Sequence, residues 1–185
     1  MEHVEAHASA SSPAATVRLM RDGGGAGTTI RSLADVGVVY EAPEWFFERS
    51  VEHYADLGVG ASVRFSKTIT EADVCGFGLV TGDTNRLHFD DTFAGGTRFG
   101  GRVVHGMLTS GVISAALARL PGNVVYLSQT LEFLAPVHVD DTVTGVCEII
   151  ETVGPRRYRL GTTVYNQHDE AVLAGEAVVL VDPPA

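Results

Sequence analysis

Hydrophobic and polar positions divide the chain into a helix-rich stretch followed by a strand-rich one. Apolar and polar residues alternate over residues 62–69, which predicts a strand. Residues 103–120 are apolar at helical spacing on nearly every side, a pattern typical of a buried helix. Four stretches with strand character follow: 124–133, 142–152, 156–166 and 171–181. This order predicts an α+β fold in which a largely antiparallel sheet wraps around one long helix.

A shorter helix is predicted between the first strand and the long helix. Thr70 stands at the expected N-cap, and Asp73 follows at the third helical position, as in a capping box. The short helix leads to Gly82, and Pro121 with Gly122 ends the long helix.

The first third of the chain differs from the rest. Residues 1–40 are small, polar and glycine-rich, which predicts a flexible N-terminal arm. Residues 41–58 predict an amphipathic helical segment that begins near Pro43 and packs on the domain or on a partner subunit. Its apolar positions at roughly helical spacing are Trp45, Phe46, Val51, Tyr54 and Leu57. The compact domain is expected to span residues 59–185.

Charge and hydropathy argue against two kinds of partner. The 13 Lys and Arg residues face 23 Asp and Glu residues, and a net charge of −10 repels nucleic-acid phosphates. No stretch has the roughly 20 predominantly apolar residues of a membrane-spanning helix. Glu2 and Glu5 stand where a secretory signal would carry basic and then apolar residues, so the expected location is the cytoplasm.

The densest polar segment is residues 81–90, between the two predicted helices. Asp83 and His88 lie five residues apart across a turn and could face one small volume. Such a pair can hold a water molecule, take its proton and return one elsewhere. The alternative is structural, with Asp83 capping the backbone amides of the turn.

A second candidate motif, residues 100–107, opens the long helix. Unpaired N–H groups at a helix N-terminus can stabilise an oxyanion, and Gly106 would allow close approach of a ligand. His105 is either catalytic or a structural histidine that bonds the loop, and the structural role is favoured.

Metal and nucleophile chemistry have weaker support. Four side chains near the two motifs offer ligand atoms: His88, Asp90, Asp91 and His105. Their spacing matches no zinc pattern, and no serine lies in a Gly-x-Ser-x-Gly turn. We therefore expect neither a metal site nor a nucleophilic serine.

Several motifs together resemble the MaoC-like dehydratases, and most of all the (R)-specific enoyl-CoA hydratases. They are residues 81–90, 93–94, 104–108, 127–133, 136–137 and 140–143, within a resemblance that covers residues 60–181. The resemblance implies a hotdog fold and a homodimer. Its two sheets would join edge to edge, with the acyl tunnel near the subunit boundary.

The resemblance also implies roles for individual residues. Asp83 and His88 match the family's catalytic pair, and Gly106 matches the glycine whose N–H binds the thioester oxygen. The family's active-site serine falls on Ser114 or Ser110, with Ser114 favoured. The positions assigned to substrate binding are Asn85, His105, Met107 and Ser114, and Asn85 is also expected to hold the geometry of the loop.

The implied reaction is the reversible hydration of trans-2-enoyl-CoA to (R)-3-hydroxyacyl-CoA, supplying polyhydroxyalkanoate monomers from fatty-acid oxidation. Coenzyme A is part of the substrate, and no cofactor is expected. Three alternatives stay open: a hotdog thioesterase, a non-catalytic partner subunit, and a dehydratase acting on acyl-carrier protein. The last needs a basic patch at the tunnel mouth, for which Arg98 and Arg102 are candidates.

One position departs from the family pattern. Arg86 stands where the family usually has proline after the loop asparagine. It could bond a loop carbonyl, pair with Asp90 or Asp91, or reach a CoA phosphate.

Overall fold

A computed structural model describes residues 45–184, and within them six strands form one antiparallel sheet. The strands are β1 (Phe46–Arg49), β2 (Ser62–Thr68), β3 (Asn123–Phe133), β4 (Thr142–Gly154), β5 (Arg157–Tyr165) and β6 (Ala171–Asp182). Their order in the sheet is β1-β2-β4-β5-β6-β3, and every neighbouring pair is antiparallel. The α+β class and the positions of the last four strands are confirmed.

Four α-helices lie between β2 and β3 in the part of the chain that the structure describes. They are α1 (Glu71–Thr81), α2 (Arg86–Phe89), α3 (Asp91–Gly95) and α4 (Gly106–Leu117). The central helix α4 packs on the sheet through Val112, Ile113, Ala116 and Leu117, all buried. A sheet wrapped around one central helix is the arrangement of a hotdog fold. Within residues 45–184, no helix is long and apolar enough to span a bilayer.

A glycine on β4 sets how closely α4 approaches the sheet. A Cβ atom placed on Gly145 would lie 3.0 Å from the carbonyl oxygen of Val112, closer than side chains normally come. The helix therefore rests almost directly on the backbone of the sheet.

Both ends of α1 follow the sequence prediction. The Thr70 hydroxyl accepts a hydrogen bond from the Asp73 N–H at 3.3 Å, and the Asp73 carboxylate accepts one from the Thr70 N–H at 2.8 Å. This reciprocal pair is the predicted capping box. Gly82 ends the helix with a φ of 77°, in the left-handed region that favours glycine.

The predicted helical segment of residues 41–58 is wrong over its described part, which begins at Trp45. Residues Phe46–Arg49 form β1, and Tyr54–Asp56 form a 3₁₀ turn. β1 pairs with the outer edge of β2, and the Trp45 ring packs on Phe65 with ring centroids 5.7 Å apart. An open sheet edge offers backbone hydrogen bonds that override local helical spacing. The predicted arm, residues 1–40, lies outside the described residues.

The central helix also differs from its prediction. It begins at Gly106 rather than at residue 103, and one stripe of it, through Met107, Gly111 and Ser114, is exposed. The sheet covers only one side of the helix, so residues that suit a fully buried helix remain open on the other side.

Candidate active site

A cavity of about 960 Å³ opens at the N-terminal end of α4. Its polar and charged lining side chains are Thr81, Asp83, His88, Arg98, His105 and Thr109. The rest of the lining is largely apolar and includes three aromatic rings: Phe77, Phe99 and Phe133. The two motifs singled out in the sequence therefore meet at one concave surface.

Asp83 follows directly after the left-handed end of α1, and its side chain is exposed at the cavity. One carboxylate oxygen, Oδ1, accepts a hydrogen bond from the Asn85 N–H at 3.3 Å. The turn-capping role considered for Asp83 is thus present. It leaves the other carboxylate oxygen available to the cavity, since a carboxylate can accept several hydrogen bonds.

His88 lies on α2 and is 9% exposed. Its Nδ1 lies 2.7 Å from the carbonyl oxygen of Val103. A carbonyl only accepts, so Nδ1 carries the proton, and in the neutral imidazole Nε2 keeps its lone pair. That assignment makes Nε2 the atom of His88 able to act as a base.

His105, the N-cap residue of α4, is 1% exposed. Its Nε2 lies 3.0 Å from the backbone carbonyl oxygen of Asp83, and its ring centroid lies 3.8 Å from that of His88. Asp83, His88 and His105 each present a ligand-type atom, and these atoms lie within 4.8 Å of one another. The spacing allows Asp83 and His88 to share a water molecule, while the Nε2 of His105 binds the Asp83 carbonyl.

The four-residue metal set considered from sequence is not assembled. The Asp90 carboxylate binds Arg86 at 2.7 Å and caps α3, and the Asp91 carboxylate binds Arg102 at 2.9 Å. Pairing with Asp90 is also one of the roles foreseen for Arg86.

Gly106 and Met107 begin α4 at the cavity wall. The first N–H groups of a helix have no partner within the helix and carry its positive dipole end. A Cβ atom on Gly106 would lie 2.7 Å from Cε1 of Phe133, so a larger residue would displace that ring or the start of the helix. The geometry suits an amide that faces a developing negative charge.

Two residues assigned to substrate binding do not line the cavity. Asn85 caps α2 through Oδ1, which accepts from the Leu87 N–H at 3.1 Å, in line with the expectation that it holds the loop. Ser114 lies on the exposed stripe of α4, and the Ser110 hydroxyl donates to the Met107 carbonyl at 2.8 Å. Neither serine faces the cavity in the single chain.

Arg102 ties the segment that carries His88 to α1. Its guanidinium binds Glu71 at 2.8 Å and Asp91 at 2.9 Å, and also reaches the His88 carbonyl oxygen at 3.4 Å. The two carboxylates raise the pKa of Arg102, and Arg102 lowers the pKa of Glu71. The Arg102 guanidinium is therefore already occupied by contacts within the protein.

Sequence reasoning missed two kinds of site component. The Val103 carbonyl that orients His88 is a backbone group, so no residue type could reveal it. Phe77 and Phe133 form apolar walls from α1 and β3. Phe77 carried a weak signal, because it is an aromatic residue one helical turn before the polar segment of residues 81–90.

Comparison with known proteins identifies the class. Residues 56–172 match the MaoC like domain family, so the chain belongs to the MaoC-like family. Curated relatives named as a dehydratase and a hydratase are hydro-lyases, and the chain is an enzyme of that class.

Individual relatives share most of the domain. The chain is 44% identical over 136 residues to a 3-hydroxybutyryl-CoA dehydratase of Methylorubrum extorquens, covering 72% of this chain and 87% of the relative. It is 37% identical over 133 residues to an (R)-specific enoyl-CoA hydratase of Rhodospirillum rubrum, covering 71% and 92%. The solved (R)-hydratase of A. caviae involved in PHA biosynthesis superposes with a TM-score of 0.65 at 37% identity, covering 70% and 98%.

Proposed function

We propose that the protein hydrates trans-2-enoyl-CoA thioesters to (R)-3-hydroxyacyl-CoA, and that it also catalyses the reverse dehydration. The observation that carries the proposal is the meeting of Asp83, His88 and the N-terminus of α4 in one largely apolar cavity. Relatives named for (R)-specific hydration and for 3-hydroxybutyryl-CoA dehydration support both directions.

The mechanism follows from the positions of these groups. Asp83 and His88 hold a water molecule and take its proton as the oxygen adds to C3 of the double bond. C2 receives one proton from the same pair, so the site returns to its starting protonation state. Negative charge develops on the thioester oxygen, where the Gly106 N–H stabilises it. This polar addition needs no metal or redox cofactor, and coenzyme A belongs to the substrate.

The arginines near the cavity favour coenzyme A over a carrier protein. Arg102 is already paired with Glu71 and Asp91, which leaves no two-arginine patch for an acidic carrier. Arg98 lines the cavity with its guanidinium over the Phe99 ring at 4.8 Å, and it forms no ion pair with any of residues 45–184. A single available cation suits a CoA phosphate.

A homodimer is part of the proposal. β3 is an outer strand of the described sheet, and Val125, Tyr126 and Leu127 on it are 40 to 46% exposed. An apolar outer strand of this length is stabilised by pairing with another copy. A cytoplasmic location and a supply of polyhydroxyalkanoate monomers complete the proposal. The solved A. caviae hydratase, which is described as involved in PHA biosynthesis, supports the monomer supply.

The thioesterase and the inactive subunit are less well supported. Relatives at 37 to 44% identity are named for hydration or dehydration and not for thioester hydrolysis. A subunit retained only for shape would have no need to keep both Asp83 and His88, whose acid–base atoms lie within 4.8 Å of one another at the cavity.

The test is hydration of crotonyl-CoA by the purified full-length protein, with product chirality read by stereospecific dehydrogenases. We expect the (R)-3-hydroxy product and its loss in Asp83→Asn. An (S) product would contradict the stereochemistry. Free coenzyme A as the product would favour the thioesterase, and an inactive, folded dimer would contradict the reaction.

A further inference from the structure

We propose that His105 is a positioning residue that fixes Asp83 and His88 relative to the N-terminus of α4, and thereby sets the rate of the chemical step. The inference rests on the hydratase function proposed above. It differs from the substrate-binding role implied by the family resemblance, because His105 acts here on two protein groups and not on the thioester.

The first contact is a hydrogen bond to the backbone of Asp83. The Asp83 carbonyl oxygen lies 3.0 Å from Nε2 of His105, and a carbonyl accepts, so Nε2 is the protonated nitrogen. Asp83 is exposed just after α1, where its other bonds, to Thr81 and Asn85, lie within the same turn. The bond from His105 ties that turn to the first residue before α4.

The second contact is a ring stack with His88. The two imidazoles have centroids 3.8 Å apart and planes inclined by 30°. Phe77 and Phe89 surround the His105 ring, with centroids at 4.8 and 5.6 Å, so the ring is held on several sides. His88 is thereby fixed both by the Val103 carbonyl at Nδ1 and by the face of His105.

The third connection is covalent. His105 directly precedes Gly106, whose N–H is the proposed oxyanion donor. One buried residue therefore binds the Asp83 backbone, contacts the ring of the base and is covalently joined to the amide donor. Chemical steps depend on such groups lying within a fraction of an ångström of the productive geometry.

His105 is poorly placed to exchange protons with a substrate itself. Its Nε2 proton is committed to the Asp83 carbonyl. Its Nδ1 is buried and has no hydrogen-bond partner among the residues that the structure describes. In this arrangement the ring serves as a spacer and a donor to the backbone, which is the behaviour of a positioning residue.

Two substitutions separate the two contacts. His105→Gln keeps an N–H donor for the Asp83 carbonyl but removes the ring. His105→Phe keeps a ring for the stack but removes the donor. We expect each variant to lower kcat for crotonyl-CoA by about 10²-fold while KM changes little, because geometry rather than binding is lost.

A double-variant cycle makes the proposal specific. If His105→Phe acts through Asp83, it should lower the rate much less in an Asp83→Asn background than in the wild type. His105→Gln should behave in the same way in a His88→Gln background. Fully additive losses, or losses confined to KM, would overturn the proposal.

The control is His168→Gln. His168 is exposed in the turn between β5 and β6 and does not line the cavity. We expect its kcat to match the wild type. An inactive wild type would instead contradict the hydratase function, and wild-type rates in both His105 variants would contradict the positioning role alone.

A measurement on the wild-type protein covers the case in which the variants do not fold. Nitrogen-15 histidine spectra at neutral pH should show His105 protonated at Nε2 and unprotonated at Nδ1. Protonation of His105 at Nδ1 in place of Nε2 would remove the bond to Asp83 and overturn the proposal.

Discussion

The sheet with α4 and the segment from Gly82 to His105 are built in different ways. In the sheet, long antiparallel ladders of backbone hydrogen bonds set the register of the strands, and apolar side chains fill the space against α4. In the segment 82–105, two helices of only four and five residues are held by single polar side chains. Those side chains are Asn85, Asp90 and Arg102.

This contrast separates stability from chemistry. We call the sheet with α4 the frame. Removing apolar volume from the frame should lower the free energy of unfolding, while changing one polar group in the segment 82–105 should lower activity. The cavity lies at their junction, where Gly106 and Phe133 of the frame meet Asp83 and His88 of the segment. Substitutions on either side should therefore have different readouts.

The largest expected effect is on the catalytic pair. Asp83→Asn and His88→Gln should each lower kcat for crotonyl-CoA by about 10³-fold, since each removes a proton-transfer group. Because Asp83 is exposed, its substitution should leave the thermal stability of the protein nearly unchanged. Steady-state kinetics and thermal unfolding of the same preparations provide the check, and near wild-type turnover in either variant would refute the assignment.

The matching change in the frame is Ile113→Ala. Ile113 is fully buried on α4 against the sheet, and its truncation should lower the free energy of unfolding by about 2–5 kcal/mol. Denaturant titration measures this loss. We expect kcat per folded molecule to stay near the wild-type value at a temperature where the variant is folded. A drop as large as that of Asp83→Asn would remove the distinction between the two regions.

Gly106→Ala tests the junction between the regions. The added Cβ would meet the Phe133 ring, displacing either the ring or the first turn of α4, and kcat should fall by about 10²-fold. Phe133→Leu opens that space, so the double variant should recover part of the rate. Phe133→Leu alone is the matched control, and an unimproved double variant would show that crowding is not the cause.

The smallest expected effect is at the cavity mouth. Arg98→Ala should raise KM for crotonyl-CoA by about 3- to 10-fold, through loss of a charge-assisted contact with phosphate. KM for crotonyl-N-acetylcysteamine, which lacks the phosphates, should not change. Arg64→Ala on the exposed face of β2 serves as the control, and equal effects on both thioesters would contradict phosphate binding by Arg98.

Much of the fold could be predicted because its signals are local. The strand character of β4, β5 and β6 and the capping box of Thr70 each depend on a few consecutive residues. The clustering of Asp83 and His88 was also predictable, since five residues across a turn confine two side chains to one small volume. Their catalytic roles stay predictions.

The amino-acid sequence by itself determined the α+β class, the order of the elements after residue 62 and the proximity of Asp83 to His88, because periodicity and capping act over short distances. Only the tertiary structure decided that the segment after Trp45 forms a strand. The edge of β2 with which it pairs is formed by a different part of the chain, so local sequence does not reveal the pairing. The tertiary structure also decided that the Val103 carbonyl orients His88 and that His105 holds both Asp83 and His88. These contacts join residues 15 to 22 positions apart through backbone atoms and ring faces, which residue identity alone does not encode.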